Sequence, residues 1–351
     1  MKFVILTNEI AGSELKWKIA CEKINAEHIV VDISKANWQD LIENYQPNIL
    51  LTRPAGLTSP FKILYDERLE ILVNELDYFC FPSLKEVLIY ENKKYFSYWL
   101  KANKIPHPKT EVFYYKKEAL EWSQYSEVQL PIVAKTNIGA SGSGVVILET
   151  SEELQSYIKS TFSGKGATKR IGPNLKKGRI LQRVIGLLSK PKALLKKIDV
   201  YKARALDIQK DFVLFQEYIP HVFEWRVVRM GDSFFAHKKL LLGKMTSGSL
   251  LKDYGNPPLK LLDFVKAITD KHQLYSQAVD VFESPQGYLV NEMQCIFGQS
   301  DTFLMKVEDS IGRYLFENGE WKFEVGDFNT NESYDLRLQT AIKCYQKKIK
   351  A

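Results

Sequence analysis

The sequence is poor in the residues that build zinc sites and disulfide frameworks. Its four cysteines, Cys21, Cys80, Cys295 and Cys344, are widely scattered and form no C-x-x-C pair, and its five histidines form no H-E-x-x-H pair. Neither zinc chemistry nor a set of disulfides is therefore expected, and the thiols are those of a reducing compartment.

Long hydrophobic runs are absent as well. No stretch of about 18 uninterrupted apolar residues occurs, so we expect no membrane-spanning helix. The apolar stretch in the opening sequence MKFVILTNEIAG is far shorter than a signal-peptide core and is typical of a first buried strand. We therefore expect a cytoplasmic protein.

Positive charge is concentrated in one part of the chain. Residues 164–204 contain thirteen Lys or Arg against one acid, Asp199, which is a net charge of +12. Since the whole chain carries +7, the remainder carries −5. The composition is that of a mildly acidic enzyme-like body with one basic insertion.

The basic insertion has two open interpretations. Apolar residues at helical spacing within it predict an amphipathic elaboration with a solvated basic face. The alternative is a docking surface for an anionic membrane, which would place the protein peripherally at the inner membrane surface, or for a lipid-linked glycan or acidic polymer. Nucleic acid is not expected as a partner, because aromatic residues are nearly absent there.

The chain of 351 residues is too long for one compact core and predicts two or three packed subdomains. In the first eighty residues, strand patterns alternate with helical periodicity. Such alternation predicts a parallel sheet covered on both faces. The predicted strands are residues 3–7, 28–33, 48–52 and 78–82, and the predicted helices between them are residues 13–26 and 65–76.

A lysine and a glycine-rich loop lie between two predicted strands in the sequence LPIVAKTNIGASGSGVVIL. Lys135 ends the first strand, and Gly139, Gly142 and Gly144 follow it, separated by small residues. Small residues let backbone N–H groups wrap around phosphate oxygens, and the lysine adds a point charge. A Walker A loop has its lysine after the glycines and before a helix, unlike this segment. The pattern predicts a phosphate-binding flap, with a plain glycine-rich hairpin as the alternative.

Two carboxylates, Asp280 and Glu292, lie at or near the ends of apolar strands. Neighbouring strand ends can bring such side chains within a few ångströms, where a divalent cation relieves their repulsion. Gln294 points the same way from its strand and offers an amide oxygen. The pattern predicts a magnesium site, and the alternative is a pair of acids that only cap or form salt bridges.

The sequence VLFQEYIP predicts an apolar strand whose end can offer backbone groups to an adenine edge. Arg226 follows shortly afterwards, and its planar guanidinium suits a phosphate or a carboxylate. An ordinary surface ion pair is the alternative for this arginine.

The order and spacing of these segments resemble the ATP-grasp superfamily over most of residues 80–302. The family's D-K pair and its later proline are matched by Asn92, Lys93 and Pro108, and K-x₃-G-x₂-G-x-G-V is matched from Lys135 onward. The family's order then continues with Q-E-Y-I, an arginine, A-V-D and N-E-M-Q-C-I-F-G. The likeness is to the ligases that add glutamate to ribosomal protein, and more loosely to D-alanine–D-alanine ligase and glutathione synthetase.

The resemblance implies an α/β and α+β fold in three parts. Residues 1–84 would form the N-terminal parallel-sheet (pre-ATP-grasp) domain, residues 85–220 the central lid subdomain with the basic insertion, and residues 221–351 the C-terminal grasp subdomain. Three departures place the chain in an outlying subgroup: Gln294 stands where the family has Asn, Phe297 where it has Pro, and Asn92 where it has Asp.

The resemblance also implies a role for each matched residue. Lys93 and Lys135 would neutralise the α- and β-phosphates of ATP, Arg226 would stabilise the transferring phosphoryl group, and Glu224 would hold the ribose. The flap would consist of Ser141, Gly142, Ser143 and Gly144. The adenine would be lined by Gln216, Glu217, Tyr218 and Ile219. One or two Mg²⁺ ions, or Mn²⁺ in their place, would be held by Asp280, Glu292 and Gln294.

The activity implied is an ATP-dependent ligation of a carboxylate to an amine through an acyl phosphate, with the substrates carried on a small molecule, a peptide or a glycan. Arg53, which follows a predicted strand, is expected to meet an acidic substrate, with an ordinary surface arginine as the alternative. Lys239 is expected to form another wall of the substrate site. The alternatives are a member of the superfamily with a thiol or phosphoryl acceptor, and a non-catalytic ATP-binding regulatory protein. A homo-oligomer is compatible with all three.

Overall fold

The computed structural model describes residues 1–139, 142–167, 191–242, 245–246, 251–298 and 301–350, and in residues 191–197, 242 and 245–246 the backbone only. Ser141 and most of the basic insertion, residues 168–190, lie outside this described part. Within it the strands form three sheets. No helix of the described residues is long and apolar enough to cross a membrane.

The first sheet is parallel, as predicted, with the strand order β2-β1-β3-β4. Its strands are buried because helices cover them, which explains the continuous apolar sequence FVIL of β1. Its elements are β1 (Lys2–Leu6), α1 (Leu15–Lys23), β2 (Glu27–Val31), α2 (Trp38–Tyr45), β3 (Ile49–Leu51), α3 (Ser59–Glu70) with a π-helical turn (Ile71–Glu75), and β4 (Cys80–Phe81). Helix α2 was not predicted from the sequence.

Two helices connect the first sheet to the second. Helix α4 (Leu84–Ile89) begins with the predicted capping box, in which the Ser83 side chain accepts from the backbone N–H of Glu86 and the Glu86 carboxylate accepts from that of Ser83. Helix α5 (Lys93–Ala102) is capped by Asn92, whose side chain accepts from the backbone N–H of Tyr95. The polar Asn92–Lys93 step therefore opens a helix.

The second sheet is antiparallel, with the order β5-β8-β6-β7. Its apolar face packs on α6 and α7, and Phe215 lies at the centre of this core, with its ring stacked on Trp122 at 5.3 Å. Its elements are β5 (Thr110–Phe113), α6 (Lys116–Trp122), β6 (Ile132–Lys135), β7 (Val145–Leu148), α7 (Ser151–Thr161), α8 (Pro191–Leu206) and β8 (Val213–Glu217).

The third sheet has nine strands and carries the largest apolar core. Its main path is β14-β13-β9-β10-β16-β15, and β9, β10 and β13 lie at its centre. Its elements are β9 (Phe223–Met230), β10 (Ser233–Leu242), β11 (Met245–Thr246), β12 (Lys252–Asp253), α9 (Leu259–His272), β13 (Ser276–Ser284), β14 (Gly287–Gln294), β15 (Lys306–Val307), β16 (Ser310–Glu317) and β17 (Glu320–Val325).

The last helix, α10 (Tyr334–Lys348), returns to the first sheet. It packs against α1, and Tyr334 and Leu338 share an apolar cluster with Trp17 of that helix. The strands of the three sheets come from residues 2–81, 110–217 and 223–325, whereas α10 joins the core of the first. The exact domain boundaries stay a prediction.

Candidate functional site

One face of the large sheet carries a row of charged side chains across four strands. Asp280 of β13 is the cross-strand neighbour of both Arg226 on β9 and Glu292 on β14. Glu224, two residues before Arg226 and on the same face, is the neighbour of Lys239 on β10. Four adjacent antiparallel strands thereby gather residues that are distant in the sequence.

Four of these side chains form a buried network of two cations and two anions. Arg226 donates from Nε and Nη2 to the two carboxylate oxygens of Asp280 at 2.8 and 2.9 Å. Lys239 donates to Asp280 Oδ2 at 2.6 Å and to Glu224 Oε2 at 2.8 Å. All four residues are at most 6% exposed, and their formal charges cancel.

Burial alone would raise the pKa of Asp280, but the charges and hydrogen bonds of Arg226 and Lys239 outweigh it and hold that pKa far below its usual range. Burial alone would lower the pKa of Lys239, but the negative charges of Asp280 and Glu224 outweigh burial and raise that pKa. Asp280 is therefore charged and compensated by protein cations. Lys239, expected to contact substrate, holds this network together.

A β-bulge brings one further side chain to the site. Asp280 pairs with Glu292, but Val281 pairs with Val290, so Asn291 is an extra residue in β14. Its side chain accepts from Lys135 Nζ at 3.2 Å and donates to Glu224 Oε1 at 3.3 Å. In a regular strand the side chains of Asn291 and Glu292 would point to opposite faces of the sheet. Asn291 was therefore not predicted as a site residue, and the bulge is what brings it to the site.

Lys135 and Lys93 approach Glu292 from the second sheet and from α5. The backbone N–H of Lys93 donates to Asn137 O at 3.2 Å, which ties α5 to the loop after β6. Burial lowers the pKa of Lys135 to about 8, and the charge of Lys93 adds to this effect while Glu292 opposes it. For Lys93, burial is outweighed by Glu91 and Glu292, and its pKa is raised.

Glu292, a half-buried acid, lies among these cations. Burial raises its pKa, Lys93 opposes the rise, and the negative charges of Glu91 and Asp280 add to it. Its Oε1 accepts from Gln294 Nε2 at 3.2 Å, so two of the three predicted metal ligands are in contact. Within the described ranges, no group of three or more His, Cys, Asp or Glu is arranged as a metal cluster.

The start of the glycine-rich loop contacts the same region. The N–H of Gly139 donates to Glu91 Oε2 at 3.2 Å, and Glu91 also accepts from Lys93 Nζ at 3.2 Å. The other oxygen of this carboxylate, Oε1, is buried without a hydrogen-bond partner. The loop ends where Thr136 N donates to Gly144 O at 2.8 Å. Gly142, Ser143 and Gly144 thus lie beside Lys135, whereas Ser141 is outside the described residues.

The segment predicted to meet adenine runs from the end of β8 into β9. Gln216 is buried and donates to Thr110 Oγ1 at 3.4 Å, and Glu217 Oε2 accepts from Lys109 N at 3.2 Å. Tyr218 and Ile219 follow, and a surface cleft begins directly after them. This cleft is lined by Pro220, His221, Val222, Phe223 and Glu283.

Comparison with solved structures identifies the architecture. D-cycloserine synthetase superposes with a TM-score of 0.55 at 12% identity, over 98% of this chain and 99% of that chain. D-alanine–D-alanine ligase from Bacillus anthracis gives 0.53 at 12% identity, over 99% of both chains. A RimK domain ATP-grasp protein from Sphaerobacter thermophilus gives 0.51 at 14% identity, over 84% of this chain and 90% of that chain.

The protein has the ATP-grasp fold. This result confirms the fold that was expected from the spacing of Lys93, Lys135, Arg226 and the acidic pair. Sequence identities of this size establish the fold alone. No protein-family model matches the sequence, and a search of curated protein sequences found no match.

In this ATP-grasp fold, the predicted site residues divide into two sets. Lys93, Lys135, Arg226, Asp280 and Glu292 converge between the second and third sheets, together with Gln294, Glu224 and Lys239. Arg53 lies apart from them, half-buried at the end of β3, where its Nη1 donates to Ser13 O at 3.4 Å.

Two residues of the convergent set were missed besides Asn291. Glu91 immediately precedes the Asn92–Lys93 step, and its proximity to Glu292 was not visible in the sequence. His237 is the cross-strand neighbour of Arg226. Burial and the charge of Arg226 lower the pKa of His237 to about 3, so its ring is neutral at physiological pH.

Proposed function

We propose that the protein is an ATP-dependent ligase that joins a carboxylate to an amine through an acyl phosphate. The observation that carries the proposal is the convergence of Lys93 and Lys135 with Glu292 and Arg226 between two sheets. Phosphoryl transfer requires positioning and charge neutralisation more than a protein nucleophile. A set of half-buried and buried cations around one carboxylate supplies both.

The site residues fit a magnesium ion. Glu292 is a half-buried acid whose pKa is raised by desolvation, so a bound cation would stabilise its charged form. Glu91, whose charge adds to this rise, has a buried oxygen without a hydrogen-bond partner. Glu292 and Gln294 would hold the ion beside Asp280, because oxygen ligands suit Mg²⁺. A divalent cation held there would supply charge neutralisation for the phosphate groups.

The protein side chains divide the remaining work. Lys93 and Lys135 would bind the phosphates of ATP, and the loop of residues 139–144 would exclude water from the acyl phosphate. A carboxylate oxygen attacks the γ-phosphorus and ADP leaves. The amine nitrogen then attacks the acyl carbon, phosphate leaves, and the nitrogen loses a proton to solvent. Arg226 uses Nε and Nη2 on Asp280, so its Nη1 group would meet the transferring phosphoryl oxygens.

The proposal is tested by following ADP and phosphate release from MgATP with pooled acids and amines. We expect release that requires an acid, an amine and Mg²⁺, and that falls at least about 100-fold in Glu292→Gln, as expected for loss of electrostatic stabilisation of the transferring group. Glu320→Gln, an exposed acid on β17, is the matched control and should retain native activity.

Isotope transfer tests the intermediate. With ¹⁸O in the acid's carboxylate, one labelled oxygen should appear in the released phosphate, because that oxygen bridges to phosphorus before the acyl carbon is attacked. Nucleotide binding without turnover under any acid and amine pool would contradict the ligase. Turnover with unlabelled phosphate would contradict the acyl phosphate.

A further inference from the structure

Glu91 is an acid that bonds to two of the groups proposed to bind phosphate. It is 5% exposed, and its Oε2 accepts from Lys93 Nζ and from the backbone N–H of Gly139, each at 3.2 Å. A lysine ammonium and a backbone N–H in a glycine-rich loop are the donors that a phosphate oxygen uses. One carboxylate oxygen of the protein therefore holds two donors that a nucleotide would need.

The backbone of Glu91 is in an unusual conformation. Its φ is +46°, in the left-handed region that favours glycine over residues with a β-carbon. The next residue, Asn92, caps α5, and Lys93 is the first residue of that helix. A residue in this region persists only where surrounding contacts hold it, and such residues cluster at ligand sites. The bonds of Glu91 to Lys93 and Gly139 are contacts of that kind.

Gly56 leaves room for the Glu91 side chain. An added Cβ on Gly56 would lie 2.8 Å from Glu91 Cγ, 3.0 Å from Glu91 Cβ and 2.9 Å from Tyr90 Cε1. Gly56 lies in the loop between β3 and α3, at the carboxyl edge of the parallel sheet. Open α/β sheets bind ligands at this edge. A loop of the first domain therefore packs on Glu91, while the Glu91 carboxylate reaches the glycine-rich loop after β6.

The Glu91 carboxylate and a phosphate oxygen would need the same donors. Gly139 has a single backbone N–H to donate. The ion pair of Glu91 with Lys93 is largely enclosed, with side chains 1% and 14% exposed, so solvent screens it little. A phosphate that bonds to both donors must first separate them from Glu91. Binding of the nucleotide therefore costs two charge-assisted hydrogen bonds within the protein.

We propose that Glu91 competes with the phosphates of the nucleotide for Lys93 and the Gly139 N–H. A phosphate oxygen takes the position of the carboxylate when ATP binds, and Glu91 returns to it when ADP leaves. The apparent affinity for either nucleotide is then the intrinsic affinity multiplied by the fraction of molecules in which Glu91 has released the donors. The competition thereby favours release of the product. The identity of the ligand rests on the proposed function, whereas the competition rests on the contacts of Glu91.

The test compares three ligands by calorimetry in excess Mg²⁺: ADP, inorganic pyrophosphate and adenosine. Glu91→Gln keeps the size of the side chain and removes its charge, which leaves a weaker acceptor. We expect this variant to bind ADP and pyrophosphate at least about 10-fold more tightly than the native protein does, and adenosine with unchanged affinity. Glu320→Gln, at an exposed position of β17, makes the same change in net charge and should bind all three ligands as the native protein does.

A second variant separates the contact from the charge. Glu91→Asp keeps the charge but is one methylene shorter, and Asp tolerates a positive φ better than Glu does. Its carboxylate should reach the two donors poorly, so its affinity for ADP should lie between those of the native protein and Glu91→Gln. Hydrogen exchange at the Gly139 amide gives a direct readout. Without ligand it should be faster in both variants than in the native protein, and with ADP bound it should be equally slow in all three.

Weaker or unchanged ADP binding in both variants would overturn the proposal, and so would an equal gain for adenosine, because the competition is for phosphate. A purely structural role of Glu91 would instead lower the melting temperature and weaken ADP binding together. These measurements need no acid, amine or turnover. Tighter ADP binding in Glu91→Gln without ligase activity in the native protein would contradict only the proposed ligase, whereas ligase activity with no gain in ADP binding would contradict only this competition.

Discussion

The buried network of Arg226, Lys239, Asp280 and Glu224 should behave as one electrostatic unit. Asp280→Asn leaves two buried cations facing one anion, and Arg226→Met leaves one cation facing two anions. Removing one partner of a buried pair costs about 3–5 kcal/mol, because the remaining charge is uncompensated. The double variant leaves Lys239 paired with Glu224 at 2.8 Å, which is again neutral.

The double variant should therefore lose less stability than the two single variants together. For contacting charges we expect a coupling energy of about 2–3 kcal/mol in a double-mutant cycle. Urea unfolding measures it, with tryptophan fluorescence and far-UV circular dichroism recorded together so that a single transition can be verified.

The control cycle uses Lys322 and Glu317, an exposed pair 3.6 Å apart on neighbouring strands, with side chains 53% and 52% exposed. Solvent screens this pair, so its coupling should be below about 0.5 kcal/mol. Additivity of Arg226→Met and Asp280→Asn within about 0.5 kcal/mol would refute the reasoning. Stabilisation by Arg226→Met alone would also refute it, since desolvation would then outweigh the attraction.

Three further predictions concern the flap and the second sheet. Burial lowers the pKa of Lys135 to about 8, and bound phosphate favours the charged lysine. MgADP binding should therefore take up a proton above about pH 8, and the affinity for MgADP should fall as the pH rises. Calorimetry in buffers of different ionisation enthalpy should detect this proton uptake, and Lys135→Arg should lose it. Gly144→Ala should lower the melting temperature more than Gly142→Ala. A Cβ on residue 144 would lie 1.7 Å from Thr136 Oγ1, whereas a Cβ on residue 142, where φ is +64°, would meet open space. Equal decreases in melting temperature would contradict this reasoning. Phe215→Ala should cost about 3–5 kcal/mol, and faster hydrogen exchange should be concentrated in β5 to β8 rather than in the parallel sheet.

Local patterns predicted the elements that hold the site. Alternating strands and helices predicted the parallel sheet, and the apolar run before Lys135 predicted a strand that delivers the lysine at its end. The capping box at Ser83 and Glu86 predicted where α4 begins. These features depend on neighbours within a few residues, so a single sequence contains the information for them.

The partners of the charged residues were not predictable in the same way. Asp280 was predicted as a magnesium ligand, with a salt bridge as the alternative, and the sequence did not show that Arg226 and Lys239 would pair with it. Asn291 reaches Lys135 only because a bulge shifts the register of β14. Both outcomes depend on strand register, which longer-range packing decides and which reverses the side-chain direction when it shifts by one residue.

The sequence by itself determined the strand and helix types, the lysine and glycine order and the acidic strand ends, and with them the ATP-grasp fold. Only the tertiary structure packed the last helix, with Tyr334 and Leu338, against the first sheet, and it alone decided which cations compensate which acids. The physical reason is that propensity and periodicity act along the chain, whereas burial and Coulomb interaction depend on distances through space.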